Sequence, residues 1–368
     1  MIGETQQDRV ATGPVSAGGP ARRRGRFGVL LVLLAVAMVA STWLAVSIGA
    51  VPVALPQTWG IIADRLVPGL VPRTWTPVQE QIVWEFRLPR ALLALLVGAG
   101  LAVVGAVLQA LVRNPLADPF LLGISSGASF GAVLVLILGA STLGGLSMSG
   151  ASFAGALLAL ALVYVLAQRS GRLTPSRLVL AGVALAYLFQ ALYSFVLQQA
   201  QSGRAAQQVL FWLMGSLGGA RWEMLPLPTV VLAAGLVYLL LQHRRLNALT
   251  AGEETAVSLG VNVHRLRLTL FVLTSLLVGV MVATSGAIAF VGLIVPHAAR
   301  LLVGADHRRV LPVTALLGAA FLQLVDVAAR TINAPQELAL SIVTALFGVP
   351  FFLWLLRRRS VDRAVSVT

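Results

Sequence analysis

The sequence contains no cysteine and no lysine. The first absence excludes disulfides, thiolate metal sites and cysteine nucleophiles. The second excludes a Walker A lysine, so any ATP hydrolysis that drives this chain occurs on another polypeptide. Charge of either sign is scarce: 11% of the 368 residues are charged, with 13 acids and 4 histidines, whereas 58% are hydrophobic. No HExxH, paired acids or clustered histidines fall within the apolar stretches, which leaves no candidate for a catalytic residue or a resident metal. So much apolar surface exceeds what one or two globular cores can hide, and a bilayer is the solvent it fits. Barrel strands alternate polar and apolar residues, whereas windows such as 29–46 and 311–324 are apolar on all sides. The expectation is therefore an all-α, polytopic membrane protein.

Apolar windows bounded by charge, Gly or Pro give ten spans, at about 28–50, 91–112, 120–140, 150–168, 177–200, 226–242, 268–284, 286–304, 310–329 and 340–356. Residues 268–303 would make a single helix of about 54 Å, too long for a bilayer, so Thr284-Ser285-Gly286 is read as a break. Val209 to Met214 is too short to cross and is read as a short helix near the outer surface, with Trp212 and Trp222 at interfacial depth. The polar first 27 residues form a tail ending in Arg22-Arg23-Arg24-Gly25-Arg26. A signal peptide is the rival reading, but the apolar run 27–53 is too long for one. Residues 28–357 form the membrane domain and 358–368 a C-terminal tail. Every basic residue is arginine, and 20 of the 27 fall on one face under this topology. The net charge of +14 thus follows the membrane rather than a nucleic acid, and both termini are expected in the cytoplasm of a bacterial cell. Residues 96–107 and 277–288 are identical at six of twelve positions and lie in oppositely directed spans, an inverted repeat.

Arg87-Leu88-Pro89-Arg90, Gly98-Ala99-Gly100, Gln109 and the run from Arg113-Asn114-Pro115-Leu116-Ala117-Asp118-Pro119 to Gly123-Ile124-Ser125-Ser126-Gly127 resemble the permease family of iron-siderophore and vitamin B12 ABC importers. Leu180-Ala181-Gly182, Trp212-Leu213-Met214-Gly215-Ser216, Gly286-Ala287-Ile288-Ala289-Phe290-Val291-Gly292 and Thr344-Ala345-Leu346-Phe347-Gly348-Val349-Pro350 resemble the same family in the same order. The resemblance implies a ten-helix permease that pairs with a second permease, itself or a paralogue. It further implies two ATP-binding subunits inside, an extracytoplasmic substrate-binding protein outside, and no cofactor on this chain. One departure stands out: where the family shows Pro-Val/Ile-Gly, this chain has Ala339-Leu340-Ser341.

Within the polar segment 243–267, the stretch Thr250 to Val261 reads as a short helix ending at Gly260, a residue suited to a left-handed cap. The resemblance makes it the coupling helix seated in the ATPase, with Glu253 and Glu254 toward basic groups and Ala256, Leu259 and Val261 as apolar anchors; an ordinary solvated loop is the alternative. Arg87, Arg90 and Arg330 fall at the outer ends of spans, where the resemblance implies docking to glutamates of the binding protein. Snorkelling anchors are the alternative, and Arg330 can pair with Asp326 one turn earlier. Thr174 and Ser176 match the family's cytoplasmic gate, but Thr174 can equally serve as the N-cap before Pro175 at N1. Asp326 is the one acid placed well inside a span, which makes a proton-coupled secondary transporter the rival function and an ion pair the bland reading. His297 reads as a packing residue.

Overall fold

The computed structural model describes residues 20–49, 51–140, 147–169, 172–200 and 202–365. The first helix, α1 (Pro20–Ser47), is followed by two short helices, α2 (Leu55–Leu66) and α3 (Pro77–Gln81). α3 passes through a π-helical stretch, Ile82–Arg87, into α4 (Leu88–Val112). Then come α5 (Ile124–Leu138), α6 (Met148–Ala167), α7 (Pro175–Gln198), α8 (Gly203–Leu213), α9 (Pro226–Leu241), α10 (His243–Ala251) and α11 (Glu253–Ser258). The chain closes with α12 (Val263–Ser285), α13 (Val291–Val303), α14 (His307–Thr331) and α15 (Leu340–Val365). Among the described residues the one strand pairing is a two-residue ladder, Gln168–Arg169 against Arg172–Leu173.

Among the described residues seven helices are long and apolar enough to cross a membrane, and Ile124–Leu138, Val291–Val303 and Leu340–Leu353 are shorter apolar helices. Together they match the ten expected spans. α1 begins at Pro20, inside the segment expected as tail, and α15 runs eight residues past 357. Residues 1–19, with the rest of the expected tail, lie outside the described residues.

α4 is the centre of the bundle, buried along nearly its whole length and packed on α12, α13 and α14. Its sequence makes that possible. A Cβ built on Gly98 would overlap the Gly318 carbonyl of α14, and one built on Gly105 would overlap Gly292 of α13. With no hydrophobic driving force between helices in lipid, such small-residue contacts supply the packing.

The break at 284–286 is real: α12 ends at Ser285, Gly286 takes φ +68°, and α13 begins at Val291. α13, at 13 residues, spans about 20 Å, so part of this membrane passage is irregular backbone. Such backbone must find partners within the protein. Ser285 O accepts from Ser216 N (2.8 Å), and Ser341 Oγ donates to Ala287 O (3.0 Å) and accepts from Ala289 N (3.3 Å). The departure at Ala339-Leu340-Ser341 thus supplies a side chain that satisfies the irregular backbone between α12 and α13, while Leu340 N and Ser341 N bond Gly215 O and Met214 O.

Gly105→Val is expected to destabilise the purified protein by about 1–3 kcal/mol in thermal unfolding, because the α4–α13 approach leaves no room for side-chain carbons. Gly203→Ala, where a new Cβ meets nothing within 4 Å, is expected to be neutral in the same assay.

Candidate functional site

Among the described residues, three places bear on function: a helical hairpin at one end of the bundle, a charged node at the other, and a cavity beside that node. At the first end, α9 runs through Gln242 into α10, and Gly252 turns the chain into α11. α11 closes as expected at Gly260, whose φ is +77°, with Gly260 N bonded to Val257 O and Val261 N to Ala256 O. This is the Schellman pattern that satisfies two helix-end carbonyls. The element is fastened to the bundle twice. Glu253 forms a two-pronged pair with Arg267 of α12, Nη2 to Oε2 at 2.8 Å, and the Arg267 side chain is buried. Asn247 of α10 donates to Asp306 Oδ1 (2.7 Å) and accepts from His307 N (2.9 Å) at the start of α14. Burial pushes the Asp306 carboxyl up, but the bonds from Asn247 and the Arg308 N–H outweigh it, and the net shift is downward.

What remains free on α11 differs from the expected set. Ala256 is fully buried within this chain and Val261 is half-buried, so neither is the main surface anchor. The exposed apolar side chains are Val257 and Leu259, at 59% and 67%, beside an exposed Glu254.

At the opposite end, Arg87, Arg90 and Arg330 meet. Arg87 and Arg330 are each 5% exposed and turned inward. Arg87 donates to Val46 O (3.3 Å), Ser47 O (3.0 Å) and Val51 O, and Arg330 donates to Ala45 O (2.9 Å) and Ile48 O (3.2 Å). The last carbonyls of a helix lack intrahelical partners, and a cation at that end also meets the negative pole of the helix dipole. Two guanidiniums therefore cap α1. Asp326, fully buried, forms ion pairs with both Arg90 (Nη2 to Oδ1, 2.9 Å) and Arg330 (Nη2 to Oδ2, 3.1 Å). Arg90 also grips Glu337 through Nη1 (2.7 Å) and Nη2 (2.9 Å). Burial raises the Glu337 carboxyl, yet the Arg90 hydrogen bonds and the charges of Arg90 and Arg330 bring it below its ordinary value. The i,i+4 pair of Asp326 with Arg330 is as the spacing allows, and Asp326 is a structural tie between α4 and α14.

Beside the node opens a cavity of about 880 Å³, lined by Arg204, Gln207, Gln208 and Phe211 of α8, Trp212, Met148, Ser149, Thr284 and Glu337 among others. Because Thr284 and Glu337 border it while Arg113 and Glu253 border a pocket at the other end, α4 and α12 run antiparallel. Thr174 holds the N-cap position of α7 with Pro175 after it, without a side-chain capping bond, and Ser176 is exposed. His297 is buried with its ring edge-on to Phe351 at 6.0 Å. Among the described residues no group of three or more His, Asp or Glu is placed to hold a metal.

The cavity and Glu337 were not among the residues singled out by sequence. One signal was present: Arg204, Gln207 and Gln208 recur at i, i+3 and i+4, a polar stripe on one helix face. No local pattern marks Glu337, which meets Arg90 across 247 residues.

Asp326→Ala would leave Arg90 and Arg330 facing each other without their shared counter-ion. It is expected to cost about 3–5 kcal/mol in thermal unfolding, with Glu337→Ala costing clearly less because that side chain is 33% exposed.

The comparisons with known proteins agree with this architecture. The FecCD transport family matches the chain over residues 33–358. The chain is 43% identical over 339 residues to the cobalamin import system permease protein BtuC of Halobacterium salinarum, covering 90% of each. It is 42% identical over 285 residues to the hemin transport system permease protein HmuU of Yersinia pestis, covering 77% of this chain and 85% of that one. A solved structure of a metal-chelate type ABC transporter in an inward-facing conformation superposes with a TM-score of 0.77 at 36% identity, covering 90% of this chain and 99% of the other. Matched along most of its length, and with its apolar helices in the expected order, the chain belongs to the FecCD transport family and is an ABC-type membrane permease of the metal-chelate, vitamin B12 and hemin importer kind.

Proposed function

We propose that this permease carries iron(III)-siderophore complexes, or a similarly large metal chelate, from an extracytoplasmic binding protein into the bacterial cytoplasm, with ATP hydrolysed on separate subunits. The observation that carries the reading is the α10–α11 hairpin: α11 presents Glu254, Val257 and Leu259 outward while it is tied to α12 through Glu253, and α10 is tied to the start of α14 through Asn247. An exposed apolar pair on a rigid mount suits a cleft in a motor subunit, and its two ties suit the passage of a push into the spans. The arginine-rich end that bears α10 and α11 is the cytoplasmic one, which puts both termini inside.

The opposite end receives the chelate. Of the three arginines there, Arg90 is the most accessible and Arg87 and Arg330 support it by holding α1 in place. Thr174 and Ser176, at the start of α7, suit a cytoplasmic gate of small hydroxyl side chains. A second permease, the same chain or a paralogue, completes the pathway. Asp326, with both oxygens engaged by guanidiniums, acts as a tie and not as a proton carrier.

The test is ATP-dependent uptake of ferric siderophore into proteoliposomes that hold the permease, its ATPase and its binding protein. Glu254→Arg with Leu259→Asp alters exposed positions and spares the Glu253–Arg267 tie. It is expected to lower uptake at least about tenfold with insertion intact. Uptake that persists without the ATPase and follows a pH gradient would contradict the proposal.

A further inference from the structure

The cavity beside the charged node is large enough for a sizeable organic ligand, and its charge is uneven. Its lining holds one acid and one base: Glu337 and Arg204. Glu337 is spoken for, with both oxygens bonded to Arg90. Arg204 is exposed, and among the described residues no carboxylate lies within ion-pair distance of it. Helix stability does not explain its place. It stands in the first turn of α8, which contains no acid, and a cation there opposes the helix dipole.

The rest of the α8 face is consistent with a recognition surface. Gln207 and Gln208 follow Arg204 at i+3 and i+4 and supply amide donors and acceptors, and Phe211 and Trp212 add aromatic area along the same wall. Behind Glu337, the node itself holds three guanidiniums, Arg87, Arg90 and Arg330, against the two carboxylates Asp326 and Glu337. Both the wall and the ground behind it are therefore net positive. In a site partly shielded from water such a field discriminates between ligands by sign.

We infer that Arg204 is a specificity-determining residue and that the pathway entrance selects chelates with net negative charge, over neutral or cationic ones. Gln207 and Gln208 contact the polar rim of the chelate, and Phe211 and Trp212 its flat apolar surface. The inference rests on the permease reading and names its substrate class.

The test uses the permease with its ATPase subunits in lipid nanodiscs, without the binding protein, so that delivery does not filter the ligands. Binding is measured by equilibrium dialysis with two iron-labelled probes, an anionic ferric tris-catecholate and the cationic ferrioxamine B, for the native chain, Arg204→Lys and Arg204→Glu. The native chain is expected to bind the anionic probe more tightly, Arg204→Lys to keep that preference, and Arg204→Glu to lower the anionic-to-cationic affinity ratio by about tenfold or more. An unchanged ratio in Arg204→Glu, or no saturable binding of the anionic probe, overturns the inference. ATP-dependent uptake by the native complex, reconstituted with its binding protein in proteoliposomes, is followed in parallel. If uptake is intact while the ratio is unmoved, the selectivity claim falls alone; loss of ATP dependence removes the permease reading with it.

Discussion

The C-terminus of α1 leaves carbonyl groups with no helical partner on residues buried from water, and the way they are satisfied shapes one whole end of the molecule. Arg87 and Arg330 reach in from α4's π-helical approach and from α14 to bond them, and Asp326 holds Arg330 and Arg90 in turn. Because Arg90 then grips Glu337, the loop before α15 is tied to the same node. Four segments distant in sequence are thereby joined by charge-assisted bonds, which are strong and directional where the dielectric is low. Lysine could not do this work as well, since each guanidinium here serves two or more acceptors from one planar fork.

The opposite end follows a different rule. There the chain leaves the bilayer, carries most of the arginines and folds into α10 and α11, whose glycine-closed turns are short and whose ties to α12 and α14 are few but specific. Between the two ends the helices pack through glycine contacts such as Gly98–Gly318 and Gly105–Gly292, which bring backbones together and leave little slack. Interiors packed in this way shift between discrete arrangements and do not deform smoothly. Under the proposed reading, a displacement at α11 is expected to travel as rigid motion of α12 and α14 toward the cavity.

Much of this was legible in the sequence because the bilayer imposes length and composition on a span. The ten apolar windows, the break at 284–286, the left-handed cap at Gly260 and the N-cap position of Thr174 each rest on local rules that the fold obeys. The rest depends on phase or on distance. The buried side of α11 is set by packing on α12, so Ala256 turned inward and Val257 outward against expectation. α2 and α3, in a mixed stretch between α1 and α4, gave no span-length signal and organise around Trp59, Trp75 and Trp84 only once folded. The Arg90–Glu337 pair joins α4 to the loop before α15 with no periodic relation, and the three outer arginines looked exposed because charge at a span end usually is.

The most direct test of the account is whether the α11 end moves as one body with α14 while the cavity changes shape. The native chain has no cysteine, so paired spin labels can be placed cleanly at Ser258→Cys with Arg308→Cys and at Ser149→Cys with Gln208→Cys. In the complete transporter, distances measured by pulsed electron resonance with and without ATP are expected to stay constant for the first pair and to shift for the second. A first pair that moves while the cavity pair stays still would contradict the account.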